Sequence, residues 1–453
     1  MRPSHLSVVA ILLFIFSCEE RFDHDIELPI PESTTLISGQ AVIKVLQTTN
    51  NWVVLKETLQ PQLYITQPIR ELSWLNSDFH ETSNYKPADG WTLIDAVVHP
   101  SGHVSAVSIK LDMKSGADYE WYIKVQRFKT DGSIVETELS PLPVLTDPLP
   151  AFPLSHDRVK LVASGEIVYV VARWKYNIIE ASRLTFTDNR FTVDWQRIVE
   201  PAHFVAMIGI IGGGFDNFHQ GDRYCFVYAG VDSKGDLYVA APSSDDLLIS
   251  HDSYFKENLT AQADPAAYDF GVAVLTKFSS LGERLYAKLE GRSAFKRLLN
   301  MSVYDDRVYL TGRIKTGQQP NSWDAWMYVS DASTGNELYE TTVDVQDGDM
   351  FWDLEQLPGG GAIAVGSSGY TQNPTGLSVS DARYAMAVVL DAQGKVTKII
   401  ELPQGPAERG SEAMFTKVLG NGRVVFAGVH NAPGTHAAVY CDGFIAVKEV
   451  APE

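Results

Sequence analysis

The sequence of 453 residues is poor in basic residues, in long apolar runs and in cysteine. Lys and Arg number 37 against 56 Asp and Glu, which gives a net charge of −19. Nucleic-acid binding is disfavoured, because that affinity comes largely from basic side chains. No apolar run approaches the ~20 residues of a membrane-spanning helix, so a multi-span membrane protein is excluded. The cysteines are Cys18, Cys225 and Cys441, and an oxidising compartment would permit a disulfide among them without requiring one.

The usual signatures of catalysis are absent as well. The sequence has no H-E-x-x-H, C-x-x-C or G-x-S-x-G motif, which are patterns of metal-dependent, redox and serine hydrolase sites. A glycosidase would need two carboxylates about 5 to 9.5 Å apart, and 56 acidic residues offer no way to choose a pair. The sequence therefore favours a protein without a catalytic role or a cofactor, and it leaves enzymatic activity open.

Residues 1–17 have the pattern of a signal peptide. Arg2 precedes an apolar run from Leu6 to Phe16, which is too short to cross ~30 Å of hydrocarbon as a helix. Ile15-Phe16-Ser17-Cys18 resembles the lipobox of bacterial lipoproteins, in which the cysteine becomes the lipidated N-terminus of the mature protein. This resemblance implies that Cys18 carries a lipid anchor. The alternative is an ordinary secretory signal with an incidental cysteine.

Residues 18–37 are predicted to form an acidic, flexible tether. Five acidic residues outnumber Arg21 here, namely Glu19, Glu20, Asp23, Asp25 and Glu27. Such a stretch cannot bury enough apolar surface to fold alone. Acidic residues directly after a lipidated cysteine also resemble the surface-export signal of Bacteroidota lipoproteins. That resemblance implies anchoring in the outer membrane, with the cell surface favoured over the periplasmic face.

A unit of two short apolar strands around a tight turn recurs through residues 38–453. The markers of this turn are Asn50, Gly102, Gly165, Gly235, Asp306, Gly360 and Gly422. Successive markers follow one another at similar intervals, on the order of 60 residues, which is the sign of a repeated structural unit. A second turn follows in six units, marked by Asp131-Gly132, Asp188-Asn189, Leu281-Gly282, Thr334-Gly335, Gln393-Gly394 and Asp442-Gly443. The first unit lacks a clear second turn.

Turn residues between short strands are typical of β-hairpins, and two hairpins per unit predict four strands per unit. Seven such units predict an all-β fold, namely a single β-propeller of seven four-stranded blades over residues 38–453. Six or eight blades stay open at this point. The alternative fold is a pair of β-sandwiches, which use similar strands and turns. Helical periodicity is almost absent, which disfavours α/β folds.

The units resemble the β-propeller repeats of bacterial envelope proteins. The segment from Ser330 to Tyr339 is similar to the quinoprotein type of repeat, with Tyr339 where that family usually has tryptophan. A lipid anchor joined to such a propeller resembles the scaffold lipoprotein of the outer-membrane protein assembly machinery in its architecture. This resemblance implies a scaffold or accessory subunit of an outer-membrane or cell-surface protein complex.

The connections between strands form two classes that leave a propeller at opposite ends, because antiparallel strands alternate in direction. Connections from the first to the second strand and from the third to the fourth are tight, whereas the others include long loops. Long loops on a rigid scaffold are where binding residues concentrate. The predicted binding face therefore consists of Asp245, Asp246, His251, Asp252, Tyr254, Gln318, Gln319, Asn321, Trp323, Asp324, Tyr370, Gln372, Asn373, His430 and Asn431.

An acidic cluster is predicted in the connection before the sixth unit. It consists of Asp344, Asp347, Asp349 and Asp353. Closely spaced carboxylates could hold Ca²⁺ at about 2.3 to 2.6 Å. The spacing does not match an EF-hand loop, and a solvated connection is the simpler interpretation.

Two functional hypotheses follow. The first is a non-catalytic, lipid-anchored propeller that docks onto an outer-membrane or surface protein complex. The second is a surface protein that binds or degrades glycans, because aromatic faces beside amides and carboxylates suit a sugar as well as a protein. A broad binding patch would favour docking, and a cleft lined by carboxylates and aromatic side chains would favour the glycan hypothesis.

Overall fold

The computed structural model shows an all-β protein of seven antiparallel sheets with four strands each. It describes residues 33–49, 51–58, 69–113, 119–135, 159–175, 178–199, 227–243, 272–290, 296–316, 323–345, 348–369, 384–404, 410–419, 422–432 and 442–450. Within these ranges no helix is long and apolar enough to cross a membrane. The seven sheets are the blades of a seven-bladed β-propeller, which confirms the predicted fold and blade number.

Each of the first six blades consists of four consecutive strands. Blade 1 contains β2 (Ala41–Gln47), β3 (Trp52–Thr58), β4 (Ile69–Leu75) and β5 (Glu81–Tyr85). Blade 2 contains β6 (Trp91–Val98), β7 (Val104–Met113), β8 (Tyr119–Phe128) and β9 (Ile134–Val135). Blade 3 contains β10 (Val159–Ser164), β11 (Ile167–Lys175), β12 (Ile178–Thr187) and β13 (Arg190–Val199).

The strands of the next three blades follow in the same order. Blade 4 contains β14 (Tyr228–Val231), β15 (Leu237–Ser243), β16 (Val272–Phe278) and β17 (Arg284–Glu290). Blade 5 contains β18 (Lys296–Val303), β19 (Arg307–Lys315), β20 (Trp323–Asp331) and β21 (Glu337–Val343). Blade 6 contains β22 (Met350–Gln356), β23 (Ala362–Ser368), β24 (Tyr384–Leu390) and β25 (Val396–Glu401).

Blade 7 is built from both ends of the chain. Its first three strands are β26 (Gly410–Val418), β27 (Arg423–Ala432) and β28 (Asp442–Glu449), and its fourth is β1 (Ser33–Ile37). The propeller therefore begins by Ser33, inside the segment predicted as a tether, rather than at residue 38. The five residues of β1 carry little strand pattern of their own, and their pairing with β28 makes them a strand.

The first strand of each blade is innermost, because the first strands of neighbouring blades contact one another around the whole ring. The hydrophobic core is divided among the blade junctions, and each of the seven junctions contains its own apolar cluster of buried side chains from both blades. A blade is apolar on both faces because it packs between two others. This is why its middle strands read as nearly continuous apolar runs.

The turn markers lie where the repeat predicts them. Six of the seven first-turn markers lie between the first and second strands of their blades, and Asn50 lies outside the described residues at the corresponding place. The predicted second turns of blades 2 to 6 lie between the third and fourth strands. Most of the marker glycines have positive φ angles, which a residue with a side chain adopts only with strain.

The first blade does have a second turn, which contains no glycine. It joins β4 to β5 through Asn76, whose Oδ1 accepts hydrogen bonds from the backbone N–H groups of Asp78 (3.0 Å) and His80 (2.9 Å). Phe79 takes the left-handed conformation at φ 59°. Its ring stacks on Trp52 with the centroids 5.5 Å apart. Burial of the phenyl ring offsets the strain, so the turn lacks the usual glycine signal.

The predicted second turn at Asp442-Gly443 is wrong, because these residues begin β28. They pair with His430 and Val429 of β27, and Gly443 also pairs with Ile37 of β1. Asp442 Oδ1 accepts a hydrogen bond from the backbone N–H of Gly39 at 2.9 Å. No hairpin turn is needed here, since the fourth strand of blade 7 arrives from the other end of the chain.

At each of four blade junctions, an aromatic ring of one blade packs on the glycine in the second turn of the next blade. The pairs are Trp74 with Gly132, Trp195 with Gly282, Tyr286 with Gly335, and Tyr339 with Gly394. The contact that Tyr339 makes in the quinoprotein-like segment therefore recurs at three other junctions, where the sequence shows no such repeat. A side chain on any of these glycines would meet the ring.

Replacing Gly282 by alanine tests this contact. A Cβ there would lie 2.9 Å from the Trp195 ring, at a φ of +82°. We expect Gly282→Ala to lower the free energy of unfolding by about 2 to 4 kcal/mol, from backbone strain and overpacking together. The matched control is Gly39→Ala, where φ is +73° and nothing lies within 4 Å of the added Cβ. Equal losses for the two variants in urea unfolding would show that the ring contact contributes nothing.

Candidate functional site: the inner strands and the long-loop end

The two ends of the ring differ in the length of their connections. At one end, which we call the tight-turn end, the connections from first to second and from third to fourth strands have two to five residues. The other end, the long-loop end, carries the four longest connections of the ring. These join β9 to β10, β13 to β14, β15 to β16, and β23 to β24.

Most of the predicted binding face lies outside the described residues. This holds for Asp245, Asp246, His251, Asp252, Tyr254, Gln318, Gln319, Asn321, Tyr370, Gln372 and Asn373. It also holds for Cys18, Cys225, Cys441 and Asp347. These residues stay predictions.

Trp323 and Asp324 lie in β20 and not in a loop, which corrects the sequence interpretation. Trp323 is only 8% exposed. The guanidinium carbon of Arg313 lies 4.5 Å from the centroid of its ring. The backbone carbonyl of Trp323 accepts hydrogen bonds from Gly348 and Asp349 of the following connection. Trp323 therefore packs within the structure beneath the loops, and its ring is not exposed for stacking against a sugar.

His430 and Asn431 also lie in a strand, near the end of β27. His430 pairs with Asp442 in register and is half-buried. Polar residues at a strand end look like loop residues in a sequence, because the pairing that extends the strand is non-local. Both residues nevertheless lie at the long-loop end, and their role in binding stays a prediction.

The acidic cluster is divided among three environments. Asp344 is exposed, whereas Asp349 is buried and its Oδ2 accepts a hydrogen bond from the backbone N–H of Val345 at 2.5 Å. Asp353 is a residue of β22 and not of the connection. Among the described residues, no group of three or more His, Cys, Asp or Glu side chains is placed to hold a metal ion. The metal hypothesis therefore gains no support from this part of the chain.

A β-bulge recurs in five of the seven inner strands. The bulged residues are Ile43, Ile94, Leu299, Trp352 and Met414. The residues that follow them, in the same order, are Lys44, Asp95, Asn300, Asp353 and Phe415. A bulge redirects the side chains that follow it. In blades 1, 2, 5 and 6 it places a polar side chain at the joint between inner strands.

Asp95 joins the inner strands of blades 1, 2 and 3. Its Oδ1 accepts hydrogen bonds from Lys44 Nζ (2.9 Å) and from the backbone N–H of Ala96 (2.8 Å). Its Oδ2 accepts one from the backbone N–H of Leu161 at 3.0 Å. The Asp95 side chain is buried, and the salt bridge to Lys44 spans the first junction. We call this arrangement the lysine clasp.

Asp353 repeats the arrangement on the opposite side of the ring, where it joins blades 5, 6 and 7. Its Oδ1 accepts a hydrogen bond from Asn300 Nδ2 at 2.7 Å. Its Oδ2 accepts one from the backbone N–H of Thr416 at 3.0 Å. The geometry is that of the lysine clasp, but the donor from the preceding blade is a neutral amide. We call it the asparagine clasp.

The two donors give the two carboxyl groups different acidities. Burial raises the pKa of Asp95, but the charges of Lys44 and Lys160 and the Leu161 N–H more than offset it, so the pKa lies below its usual value. Burial raises the pKa of Asp353 to about 7. The N–H groups of Thr416 and Leu354 oppose that rise only in part, and Glu355 adds to it. The charge of Lys44, which is bonded to Asp95, also opposes the rise only in part, so the pKa of Asp353 stays at about 7.

Further contacts continue the clasps around the ring. Lys160 Nζ lies 5.9 Å from the centroid of the Tyr228 ring, which links blades 3 and 4. Tyr228 donates its hydroxyl to the Leu298 carbonyl at 3.0 Å, which links blades 4 and 5. Six side chains therefore connect the inner strands of all seven blades in sequence. We call them the central belt: Lys44, Asp95, Lys160, Tyr228, Asn300 and Asp353.

The junction between blades 7 and 1 is closed by apolar contacts at this level. Ala41 and Val429 are buried there, and Ile43 and Met414, two of the bulged residues, pack against them. The central belt thus crosses six junctions, and the chain ends meet at the seventh.

Arg70 supports the lysine clasp from the outer part of blade 1. Arg70 Nε donates to Glu57 Oε2 at 2.7 Å, and both residues are buried and face each other in register. Arg70 Nη1 also donates to the carbonyl of Ile94 at 2.8 Å. Ile94 is the bulged residue before Asp95, and a bulge leaves backbone groups without ladder partners. Arg70 satisfies one of them.

The sequence interpretation missed the central belt, although a signal for it exists. Lys44, Asp95, Asn300 and Asp353 each precede the first-turn marker of their unit by six or seven residues. Each is a polar residue that lies between two apolar residues. Aligning the units on their turn markers would therefore have revealed the recurring polar position, though not which residues it joins.

No protein family and no curated protein matches this sequence. Among solved structures, the chain is similar to a protein of unknown function from Bacteroides caccae, at 10% identity and a TM-score of 0.34, covering 73% of this chain and 89% of that one. It is also similar to a protein of unknown function from Dyadobacter fermentans, at 11% identity and a TM-score of 0.44, covering 92% and 99%.

A third similar structure is the β-propeller domain of the Trilobed protease from Pyrococcus furiosus. It has 9% identity and a TM-score of 0.43, with 92% of this chain and 97% of that one covered. Likenesses at this level carry no argument about function. The seven-bladed architecture rests on the strand pairing described above.

Replacing Asp353 by asparagine tests the asparagine clasp. Because folding raises the pKa of Asp353 from a usual value near 4 to about 7, the folded protein binds a proton more readily than the unfolded chain between these pH values. Asp353 therefore lowers the free energy of unfolding as the pH rises. Relative to wild type, Asp353→Asn should gain about 2 kcal/mol more stability at pH 8 than at pH 5.5, measured by urea unfolding. An identical effect at both pH values would contradict the shifted pKa.

Asp95→Asn is the matched control, for which we expect a change in stability of the opposite sign. The Asn300 amide can turn to present its oxygen to an amide at position 353, whereas the three partners of Asp95 are all donors. An amide at position 95 would therefore leave at least one donor without an acceptor. We expect a loss of about 3 kcal/mol at both pH values.

Proposed function

We propose that the protein is a non-catalytic, lipid-anchored β-propeller that serves as a scaffold or accessory subunit of an outer-membrane or cell-surface protein complex. The observation that carries this proposal is the central belt. The six side chains of the central belt hold neighbouring blades together. The ring is thereby a rigid support for the connections at its long-loop end.

The bonding of the two clasp carboxylates supports a structural role for them. A general acid, base or nucleophile must present an oxygen to its substrate at hydrogen-bonding distance. Both oxygens of Asp95 and both oxygens of Asp353 instead accept hydrogen bonds from neighbouring blades. Their different pKa values follow from their different donors and require no catalytic explanation.

The lengths of the connections support docking at the long-loop end. The four longest connections leave the blades at this end, and the two that flank β14 and β15 in blade 4 are the longest of all. Loops longer than about 12 to 15 residues are uncommon in compact domains and usually have a function. Loops of this kind on a rigid ring suit the recognition of a large partner such as a protein.

The lipid anchor and the location in the envelope come from the sequence. The signal-peptide pattern, the lipobox-like Ile15-Phe16-Ser17-Cys18 and the acidic residues after it support an outer-membrane lipoprotein facing the cell surface.

Cys18→Ala tests the anchor. We expect the variant to move from the membrane fraction to the soluble fraction, and to lose labelling by a metabolically incorporated fatty acid. Cys225→Ser is the control and should stay in the membrane with its label. Retention of Cys18→Ala in the membrane without lipid label would show that another feature holds the protein there.

Cross-linking in intact envelopes followed by mild solubilisation tests the scaffold role. We expect stable co-purification of one or more envelope proteins with the wild type. A variant in which residues 246–269 are replaced by a short Gly-Ser linker should lose them while keeping its thermal unfolding transition. The control carries Asp131→Ala at the tight-turn end and should retain its partners. Repeated recovery of the wild type as a lone monomer would overturn the proposal.

A further inference from the structure

The direction of β1 determines where the N-terminal segment joins the ring. β1 runs antiparallel to β28, with Ser33 paired to Val447 and Ile37 paired to Gly443. β28 begins at the long-loop end, where Asp442 pairs with His430. It ends at the tight-turn end, where the backbone N–H of Val450 donates to the carbonyl of Gly422 in the first turn of blade 7. Ser33 therefore lies at the tight-turn end, on the rim of blade 7.

The segment between Cys18 and Ser33 is short in comparison with the ring. Fourteen residues lie between these positions, and a chain of that length spans at most about 50 Å when fully extended. The eight residues of β28 alone rise about 27 Å from one end of the ring to the other. A segment that starts at the tight-turn end would use about half of its maximum reach to pass along blade 7 to the opposite end.

We propose that the anchored protein holds the tight-turn end of blade 7 towards the membrane and directs its long-loop end away from it. This inference rests on the lipid anchor of the proposed function and extends it to an orientation. The occupant of the tight-turn end is thus the lipid surface that carries the protein's own anchor. The long-loop end is left for the partner.

The tight-turn end has a form that suits proximity to a flat surface. Its connections contain no more than five residues, and several are bonded to the neighbouring blade. The Tyr169 hydroxyl donates to the Gly235 carbonyl at 2.7 Å, and Arg307 Nη1 donates to the Gly360 carbonyl at 3.0 Å. The four longest connections all leave from the other end, where a membrane would obstruct them.

Two pairs of exposed residues on the blades beside blade 7 report the orientation. In blade 1, Asp78 lies in a tight turn and Asp89 lies in the connection to blade 2 at the long-loop end. In blade 6, Gln393 lies in a tight turn and Glu401 ends β25 at the long-loop end. Each pair compares the two ends at one place on the ring.

The experiment uses the lipidated full chain with Cys225→Ser and Cys441→Ser, so that an introduced cysteine is the only free thiol. Asp78→Cys, Asp89→Cys, Gln393→Cys and Glu401→Cys are each labelled with a fluorophore. The proteins are inserted into phosphatidylethanolamine and phosphatidylglycerol vesicles that contain a headgroup nitroxide quencher. Because about 27 Å of strand separates the two ends, we expect at least about twofold greater quenching at Asp78→Cys than at Asp89→Cys, and likewise at Gln393→Cys than at Glu401→Cys.

The outcomes separate the orientation from the anchor. Adding Cys18→Ala should abolish both flotation with the vesicles and quenching at all four positions. Failure of the lipid-competent chain to acquire lipid and float would overturn the anchor and the orientation together. Flotation with equal quenching at the two ends, or with greater quenching at Asp89→Cys and Glu401→Cys, would overturn the orientation alone.

Discussion

Two carboxylates, one buried and one half-buried, hold the inner strands of this propeller together, and each does so by accepting hydrogen bonds from the blade before it and the blade after it. Asp95 and Asp353 bind the backbone N–H groups of Leu161 and Thr416 across one junction and the side chains of Lys44 and Asn300 across the other. Apolar clusters fill every junction, but burial is non-directional and would tolerate blades that slide. Hydrogen bonds of defined length fix the blades relative to one another.

The clasps also show how one changed residue alters the chemistry of a repeated position. The bulge, the carboxylate and the N–H donor from the next blade recur on opposite sides of the ring, and only the donor from the preceding blade differs. An ammonium group stabilises the carboxylate as an anion by its charge as well as by its hydrogen bond, whereas an amide offers a hydrogen bond without a net charge. Burial therefore dominates at Asp353 and not at Asp95, and the pKa values separate. A carboxyl pKa near 7 would by itself be weak evidence for catalysis, because the asparagine clasp, a contact between blades, produces such a pKa.

The repeat could be predicted from the sequence because its turns require particular residues. Glycine at positive φ marks most turns, so blade number and strand order follow from local pattern. The features that could not be predicted from the sequence depend on contacts between distant segments. The turn at Phe79 is stabilised by a ring contact with Trp52, and β1 is a strand because β28 lies beside it. Trp323 and His430 look like loop residues until the strands that bury or pair them are known. The central belt was detectable as a recurring polar position, but the contacts among its members were not.

Blade 7 closes the ring, because its strands come from two segments that are far apart in the sequence. The other six junctions join segments that the chain already holds close together, whereas the seventh must bring together strands from opposite ends of the sequence. Its central contact is apolar, between Ala41 and Val429, and its rim is completed by the five residues of β1. The entropic cost of closing a long chain grows only slowly with its length. A modest interface thus suffices to close the ring, provided that the blades already have the correct curvature. The central belt favours that condition, because its contacts fix neighbouring inner strands relative to one another at the other six junctions.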